Sequence, residues 1–425
     1  MTTAQVSTSE AKTTASVREF DGIVCFGGVD WWYHNRGHYD VQMMRELSAH
    51  VPVLYINSIG MRVPRLGEGA VFLKRVMRKL KSFRRGLVRI DQGRWVLSPL
   101  TMPGRLRGVT RGLLPRQVRR GMRKAGIRRP LIWVACPPGA EFIDDLGPVG
   151  VVYQRTDRFE AFSGVDVEHI MELDRRLKAR ADVTLYCSSA LIDEERDACR
   201  RAEYVDHGVD YDRFEAAGDA ADHGNGEPPD LAGIDHPRVG FVGGIDAHTF
   251  DPPLFKRVVE RLPEFQFVLV GGCSLPEGWC DLPNVHYMGR RDYSEVASYM
   301  AACDVLIMPW NQGEWIRVCN PVKLKEYLAV GRPVVSTWFD ELSNYEGLVR
   351  IADSADSFAD AIRLSLSDGA DRSALRRRVE AETWASKAHD VLVSLAGLGL
   401  VPAGADAIMN NAGLGQSALE GNEAR

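Results

Sequence analysis

The sequence predicts an α/β protein made of two Rossmann-like domains, each an open parallel sheet flanked by helices. Three observations point there. From about residue 20 to 400, apolar runs of strand length alternate with segments of helical spacing, the pattern of βαβ units. Strand signals end in paired glycines at Gly27-Gly28 and again at Gly243-Gly244, in well-separated parts of the chain. The 425 residues predict about two to three domains, and no repeat of solenoid period runs through them.

The totals bound the rest. An apolar content of 45% is ample for ordinary cores. Eight cysteines are scattered without a Cys-x-x-Cys, which reads as buried thiols in a reducing compartment rather than a metal site. The Thr- and Ser-rich start has no apolar core and is no signal peptide. No apolar run approaches the roughly 18–20 residues that span a bilayer. The expected location is therefore cytoplasmic. Residues 1–18 and 401–425 read as polar, disordered tails.

The first domain is expected over 19–205. Gly22 to Gly28 is a buried strand and turn, and Tyr39 to Ala49 has helical spacing. Val51 to Asn57 is a second strand. Open parallel sheets bind ligands beyond the carboxyl ends of their strands. Gly28, Trp31, His34 and His38 are thus placed to meet a ligand; the alternative is a packed aromatic corner. Leu131 to Cys136 and Gly150 to Arg155 are further buried strands. Asp157 and Glu160 lie just past the second of these, where a carboxylate can act as a general base or cap the next helix.

Residues 61–130 carry about twenty Lys and Arg against about two acidic residues. Phe72, Leu73, Val76, Met77, Leu80 and Phe83 recur at helical spacing among the cations, and a second basic helical stretch spans about Arg105 to Lys124. A basic amphipathic helix of this kind lies on anionic lipid. Two other readings compete: the stripe is core with a solvated basic face, or the patch binds nucleic acid. No nucleic-acid-binding motif accompanies it.

The second domain is expected over 206–382. It opens with His207-Gly208-Val209-Asp210-Tyr211-Asp212-Arg213-Phe214, followed by a polar loop over 216–236. Arg238 to Asp246 is a strand running into Gly243-Gly244, where a phosphate or sugar can approach the main chain. Phe265 to Gly272 is the next strand, Arg290 and Arg291 follow another, and Tyr293 to Ala302 is helical. Asp304 to Met308 is a buried strand. Trp384 starts a last helix to about Leu398 within a crossover segment, 383–400.

The central stretch runs from Arg317 to Thr337. Asn320 suits an N-cap, Pro321 the first helical position, and Gly331 a left-handed C-terminal residue before Pro333. Lys323 and Glu326, three apart, share one face of the opening turns. The helix start could hold a diphosphate with Lys323 as point charge, and the carboxylate could accept hydrogen bonds from a ribose diol. Spacing alone equally allows a surface ion pair.

Glu326-Tyr327-Leu328-Ala329-Val330-Gly331-Arg332-Pro333-Val334-Val335 resembles the nucleotide-sugar-binding helix of GT-B glycosyltransferases of the family 4-like group, and 207–214 resembles the passage opening their second domain. The resemblance implies two Rossmann-like domains around a cleft, with the closing helix packed back on the first. It implies a sugar moved from a nucleotide-diphosphate donor, most simply a UDP-sugar, to a hydroxyl acceptor that is lipid-linked or polysaccharide. It implies Glu326 on the ribose, with Asn320, Lys323, Gly243, Gly244, Arg290 and Arg291 around the donor. Gly28, Trp31, His34 and His38 would meet the acceptor, and no metal or other cofactor is implied.

Retaining members carry a Glu at the position of Val318; Glu314 is out of register. The Lys-x-x-Glu arrangement is similar to membrane-associated, inverting glucuronosyltransferases of exopolysaccharide assembly, whose catalytic base is an Asp after a tyrosine-containing strand. That role falls on Asp157, with Glu160 behind it. The expected partners are the nucleotide sugar, the acceptor and an anionic membrane surface at the inner face of the cell membrane, with no nucleic acid. The competing functions are a nucleotide-sugar epimerase and a non-catalytic, membrane-bound nucleotide-sugar-binding protein.

Overall fold

The structure, a computed structural model, describes residues 17–33, 37–61, 69–100, 112–162 and 164–404, with side chains omitted over 69–76. His34, the terminal tails and the start of the second basic stretch lie outside the described residues.

The first lobe runs β1 (Arg18–Phe20), β2 (Gly22–Phe26), α1 (Tyr39–Leu47), β3 (Val53–Ile56), α2 (Gly69–Arg85), β4 (Leu87–Arg89), β5 (Arg94–Leu97), α3 (Leu113–Ala125), β6 (Pro130–Val134), β7 (Gly150–Arg155), α4 (Val167–Arg180), β8 (Val183–Tyr186), α5 (Ser189–Glu195) and β9 (Ala202–Tyr204). Its sheet has the order β4-β5-β3-β2-β6-β7-β8-β9. Only the β4–β5 pairing is antiparallel. The central strands are buried on both faces, which is why they read as unbroken apolar runs. Ile23 and Cys25 pack into one layer, Val24 and Phe26 into the other.

The second lobe runs α6 (Tyr211–Asp222), β10 (Arg238–Val242), α7 (Pro252–Arg261), β11 (Gln266–Val270), β12 (Val285–Gly289), α8 (Val296–Ala301), β13 (Val305–Met308), α9 (Glu314–Arg317), α10 (Val322–Val330), β14 (Val334–Ser336), β15 (Val349–Ile351), α11 (Ala355–Ser367) and α12 (Arg372–Val379). Its six strands are all parallel, in the order β12-β11-β10-β13-β14-β15.

The chain then returns. α13 (Trp384–Gly397) packs on α1, and Trp384 is buried in the first lobe's core. β16 (Leu400–Pro402) pairs with β1. Both crossings between the lobes are tied by Lys325, which is fully buried. Its ammonium meets Asp206 at 2.5 Å, the His207 carbonyl at 2.6 Å, and Glu382. Lys387 meets the other oxygen of Asp206 at 2.5 Å.

Several local expectations change. Residues 216–222, taken as loop, continue α6, and the helix expected from Tyr293 begins only at Val296. The β4–β5 hairpin lies unannounced in the basic region, its turn held by Asp91 accepting from the Gly93 and Arg94 amides at 3.1 and 2.9 Å. The two basic helices differ. On α3, Leu114, Val118 and Met122 are core, so its cations are a solvated face. On α2, Met77, Leu80 and Phe83 are 48%, 51% and 37% exposed, so this part of the stripe is not core.

Candidate active site

The site is built at the carboxyl ends of both sheets. Residues after β10 and β13 meet the start of α10 from the second lobe; residues after β7 and β8 face them from the first.

α10 starts at Val322 with Pro321, not Asn320, at the N-cap position, and ends at Gly331 with φ 82°. Asn320 instead reaches across to the first lobe, donating from Nδ2 to the Cys187 carbonyl at 2.8 Å and to the Tyr204 hydroxyl at 3.3 Å. Its side chain therefore fastens the lobes together and does not cap the helix.

Lys323 rests its ammonium 4.6 Å from the Phe241 ring centre and 5.2 Å from that of Trp310. A Cβ placed on Gly243 would stand 2.3 Å from its Nζ, so the glycine makes room for this cation. Burial pushes the Lys323 pKa down to about 8, with Glu326 opposing. Gly244 is exposed beside it, and the loop closes on Asp246, which accepts from the His248 and Thr249 amides at 2.9 and 3.0 Å.

Glu326 is buried, and its Oε1 accepts from the Tyr293 hydroxyl at 2.8 Å. Burial raises its pKa, while the Tyr293 hydrogen bond and the charges of Arg213 and Lys323 pull the other way. The arginines after β12 divide. Arg291 is engaged by Asp230 at 2.5 Å and by the Tyr299 hydroxyl at 2.7 Å, so its guanidinium is committed away from a phosphate. Arg290 is exposed.

In the first lobe, burial raises the Asp157 pKa to about 6 against the charge of Arg155. The Asp157 charge acts on the thiols of Cys187, in its own lobe, and Cys319, at the threshold of α10. Lys323 acts on the same Cys319 thiol with the opposite sign. The Asp157 carboxylate is hydrogen-bonded to the Thr156 side chain, which opposes the effect of burial. Glu160 is different. It pairs with the buried Arg155 at 3.0 Å, in a network with Glu195 at 2.9 Å and Asp174 at 3.3 Å. That ion pairing removes it as a reserve base.

The aromatic loop is largely a packed corner. Trp31 is 4% exposed, its amide bonded to the Asn57 side chain at 2.6 Å and its ring 5.2 Å from Tyr55. It therefore does not present itself to an acceptor. The Gly28 amide donates to Asp40 at 2.7 Å. His38 is exposed just before α1, and its charge acts on His207.

Sequence reasoning passed over Tyr293, Arg213 and Lys325. Tyr293 looked like the start of a helix, and its partner Glu326 lies 33 positions away. Lys325 fell between two residues that drew attention for their helical face; only its depth in the fold singles it out.

Residues 236–368 match the family model described as Glycosyl transferases group 1. A putative teichuronic acid biosynthesis glycosyltransferase, TuaH of Bacillus subtilis (strain 168), is 33% identical over 181 residues, 40% of this chain and 43% of that one. The match thus spans less than half of that curated relative. Among solved structures, sucrose-phosphate synthase from Thermosynechococcus elongatus superposes with TM-score 0.63 at 16% identity, over 87% of this chain and 97% of that one. HepE of Anabaena in complex with UDP gives 0.57 at 14%, over 88% and 99%. The UDP-forming trehalose-phosphate synthase of Burkholderia vietnamiensis gives 0.60 at 14%, over 89% and 99%.

These likenesses establish the architecture: the chain has the GT-B fold of glycosyltransferases. Its second lobe carries the group 1 glycosyltransferase segment, which contains Gly243, Lys323 and Glu326. Among the described residues, no three His, Cys, Asp or Glu side chains gather as a metal site, and no helix is long and apolar enough to cross a membrane.

Proposed function

We propose that the protein transfers a sugar from a nucleoside-diphosphate donor, a UDP-sugar in the simplest case, to a hydroxyl of a lipid-linked or polysaccharide acceptor. The observation that carries this is the placement of the Lys323 ammonium against Gly243, with the buried Glu326 on the next turn of α10. A diphosphate over Gly243-Gly244 would meet that cation, and the ribose diol would meet the carboxylate. Lys323 then neutralises charge developing on the departing diphosphate. Asp157 takes the proton from the acceptor hydroxyl, so that the oxygen attacks the anomeric carbon as the bond to the diphosphate breaks. Val318, buried where retaining relatives carry a Glu, supports inversion. The HepE and trehalose-phosphate synthase structures, with UDP named in their descriptions, support a uridine donor.

The acceptor reading draws on α2. Besides its exposed apolar residues it carries Arg78, Lys81, Arg84 and Arg85 toward solvent. Its inner side is fastened to the loops after β2 and β3, where Ser82 donates to Asp30 at 2.9 Å and Lys79 to the Ser58 carbonyl at 2.6 Å, and the exposed Arg85 lies over the edge of the first of these loops, 4.3 Å from the Trp32 ring centre. Anionic lipid under α2 would bring a lipid-linked acceptor to this loop. The TuaH likeness favours a cell-envelope glycan.

The test is transfer from a panel of UDP-, GDP- and ADP-sugars, with anomeric analysis of the product. Asp157→Asn should keep nucleotide binding and lose transfer. Binding without transfer for every donor and acceptor would leave a nucleotide-sugar-binding protein instead.

A further inference from the structure

We infer that Arg213 and Tyr293 form a bracket that orients Glu326 toward the nucleotide ribose, making both of them positioning residues of the donor site. The inference rests on the donor reading above.

Three elements converge. Tyr293, ahead of α8, donates its hydroxyl to Oε1 of Glu326 at 2.8 Å. Arg213, in the first turn of α6, lies with its guanidinium carbon 4.2 Å from the Tyr293 ring centre and 4.9 Å from that of Phe214. Phe214 meets Tyr293 edge-on at 6.3 Å. The ring is closed from the other lobe by Gly37, where a Cβ would stand 2.9 Å from Tyr293 Cε2. With its ring held on both sides, the tyrosine fixes one oxygen of the carboxylate, and Oε2 is left for the diol.

The guanidinium is itself incompletely used. Nε and Nη2 of Arg213 are buried without a hydrogen-bond partner among the described residues, and the contact to Asp210 is 3.5 Å. Desolvating those donors costs free energy. The return is electrostatic. Glu326 faces Tyr293, Arg213, Lys323 and Asp210, and of these only Asp210 opposes its ionisation. An ionised carboxylate accepts ribose hydroxyls more strongly than a neutral acid.

The experiment is calorimetric titration of the full chain with UDP at about pH 7.5 and at about pH 5.5, the lower pH lying nearer a carboxyl that burial raises. Tyr293→Phe keeps the ring and removes only the hydroxyl. Arg213→Gln removes the charge, and Arg213→Lys keeps it. Tyr293→Phe and Arg213→Gln should each weaken UDP about tenfold at the higher pH. Both remove an influence that holds Glu326 ionised, so their ratio to wild type should widen at the lower pH; UDP's own titration cancels in that ratio. Arg213→Lys should return the ratio at low pH toward its value at high pH, which a purely structural role would not do. Affinities within about twofold of wild type at both pH values overturn the bracket. A wild-type chain that binds neither UDP, GDP nor ADP overturns the donor reading, and the bracket with it.

Discussion

Asp157 and Lys323 are each half-committed to the charge state the chemistry needs. Burial raises the carboxyl to about 6 and lowers the ammonium to about 8. A base must be ionised and an electrostatic clamp protonated, so kcat/KM should rise through about pH 6 and fall above about pH 8. A flat profile between those limits and the extremes would remove both residues from the mechanism. Asp157→Asn should cut turnover about 10²–10⁴-fold. The same change bears on stability. A folded-state pKa above the unfolded value of 3.8 means that stability is lost as pH rises through about 4 to 6. Asn removes that loss, so the variant should be more stable than wild type by about 1–3 kcal/mol near pH 8 and show no gain near pH 4, by urea denaturation. At this scale the sequence was partly readable. Spacing and strand ends singled out Lys323, Glu326 and Asp157 as candidates, beside equally local alternatives. The commitment of Glu160 to Arg155 and of Arg291 to Asp230 was not readable, because each needs a partner's position in space.

Helices that look alike in sequence separate by what they pack against. α2 and α3 both alternate cations with an apolar stripe, yet α3 buries its stripe and α2 exposes Met77, Leu80 and Phe83. Of these two basic helices, α2 is the one that offers three exposed apolar side chains to a lipid surface among the described residues; α3 exposes Leu113 at its start. Leu80→Glu with Phe83→Glu should lower co-sedimentation with anionic vesicles about tenfold or more, without lowering the melting temperature. Raised salt should weaken the wild-type interaction, and neutral vesicles should bind poorly. Equal sedimentation of the double variant would make α2 an ordinary solvated helix. α10 was legible in the sequence because its length, left-handed Gly331 and following Pro333 are local signals. Its start was misjudged by one residue because Asn320 found a better partner across the cleft.

Across the whole molecule, one buried cation serves both crossings between the lobes. Lys325 lies on the helix that carries Lys323 and Glu326, yet its ammonium holds Asp206 on the outward crossing and Glu382 on the return. Lys325→Met should cost about 1–3 kcal/mol, because Asp206 and Glu382 lose the buried cation they share and keep only Lys387 and Arg378. Urea denaturation reads this directly; a loss below about 1 kcal/mol would mean that Lys387 alone compensates Asp206.

The return of the last helix was implied by the resemblance to GT-B glycosyltransferases; the strand order along the chain, the two parallel-sheet lobes and the cation–carboxylate pair on one helix follow from the sequence's own pattern. Those features are written in neighbours: apolar periodicity, glycines after strands, and helix-end residues act over a few positions. The tertiary structure alone decided which charges are engaged. Lys325 finds Asp206 119 positions away, and Asn320 finds Cys187 133 away. A buried ion or amide takes whatever partner the closed fold brings within about 3 Å, and chain closure, not local propensity, chooses that partner.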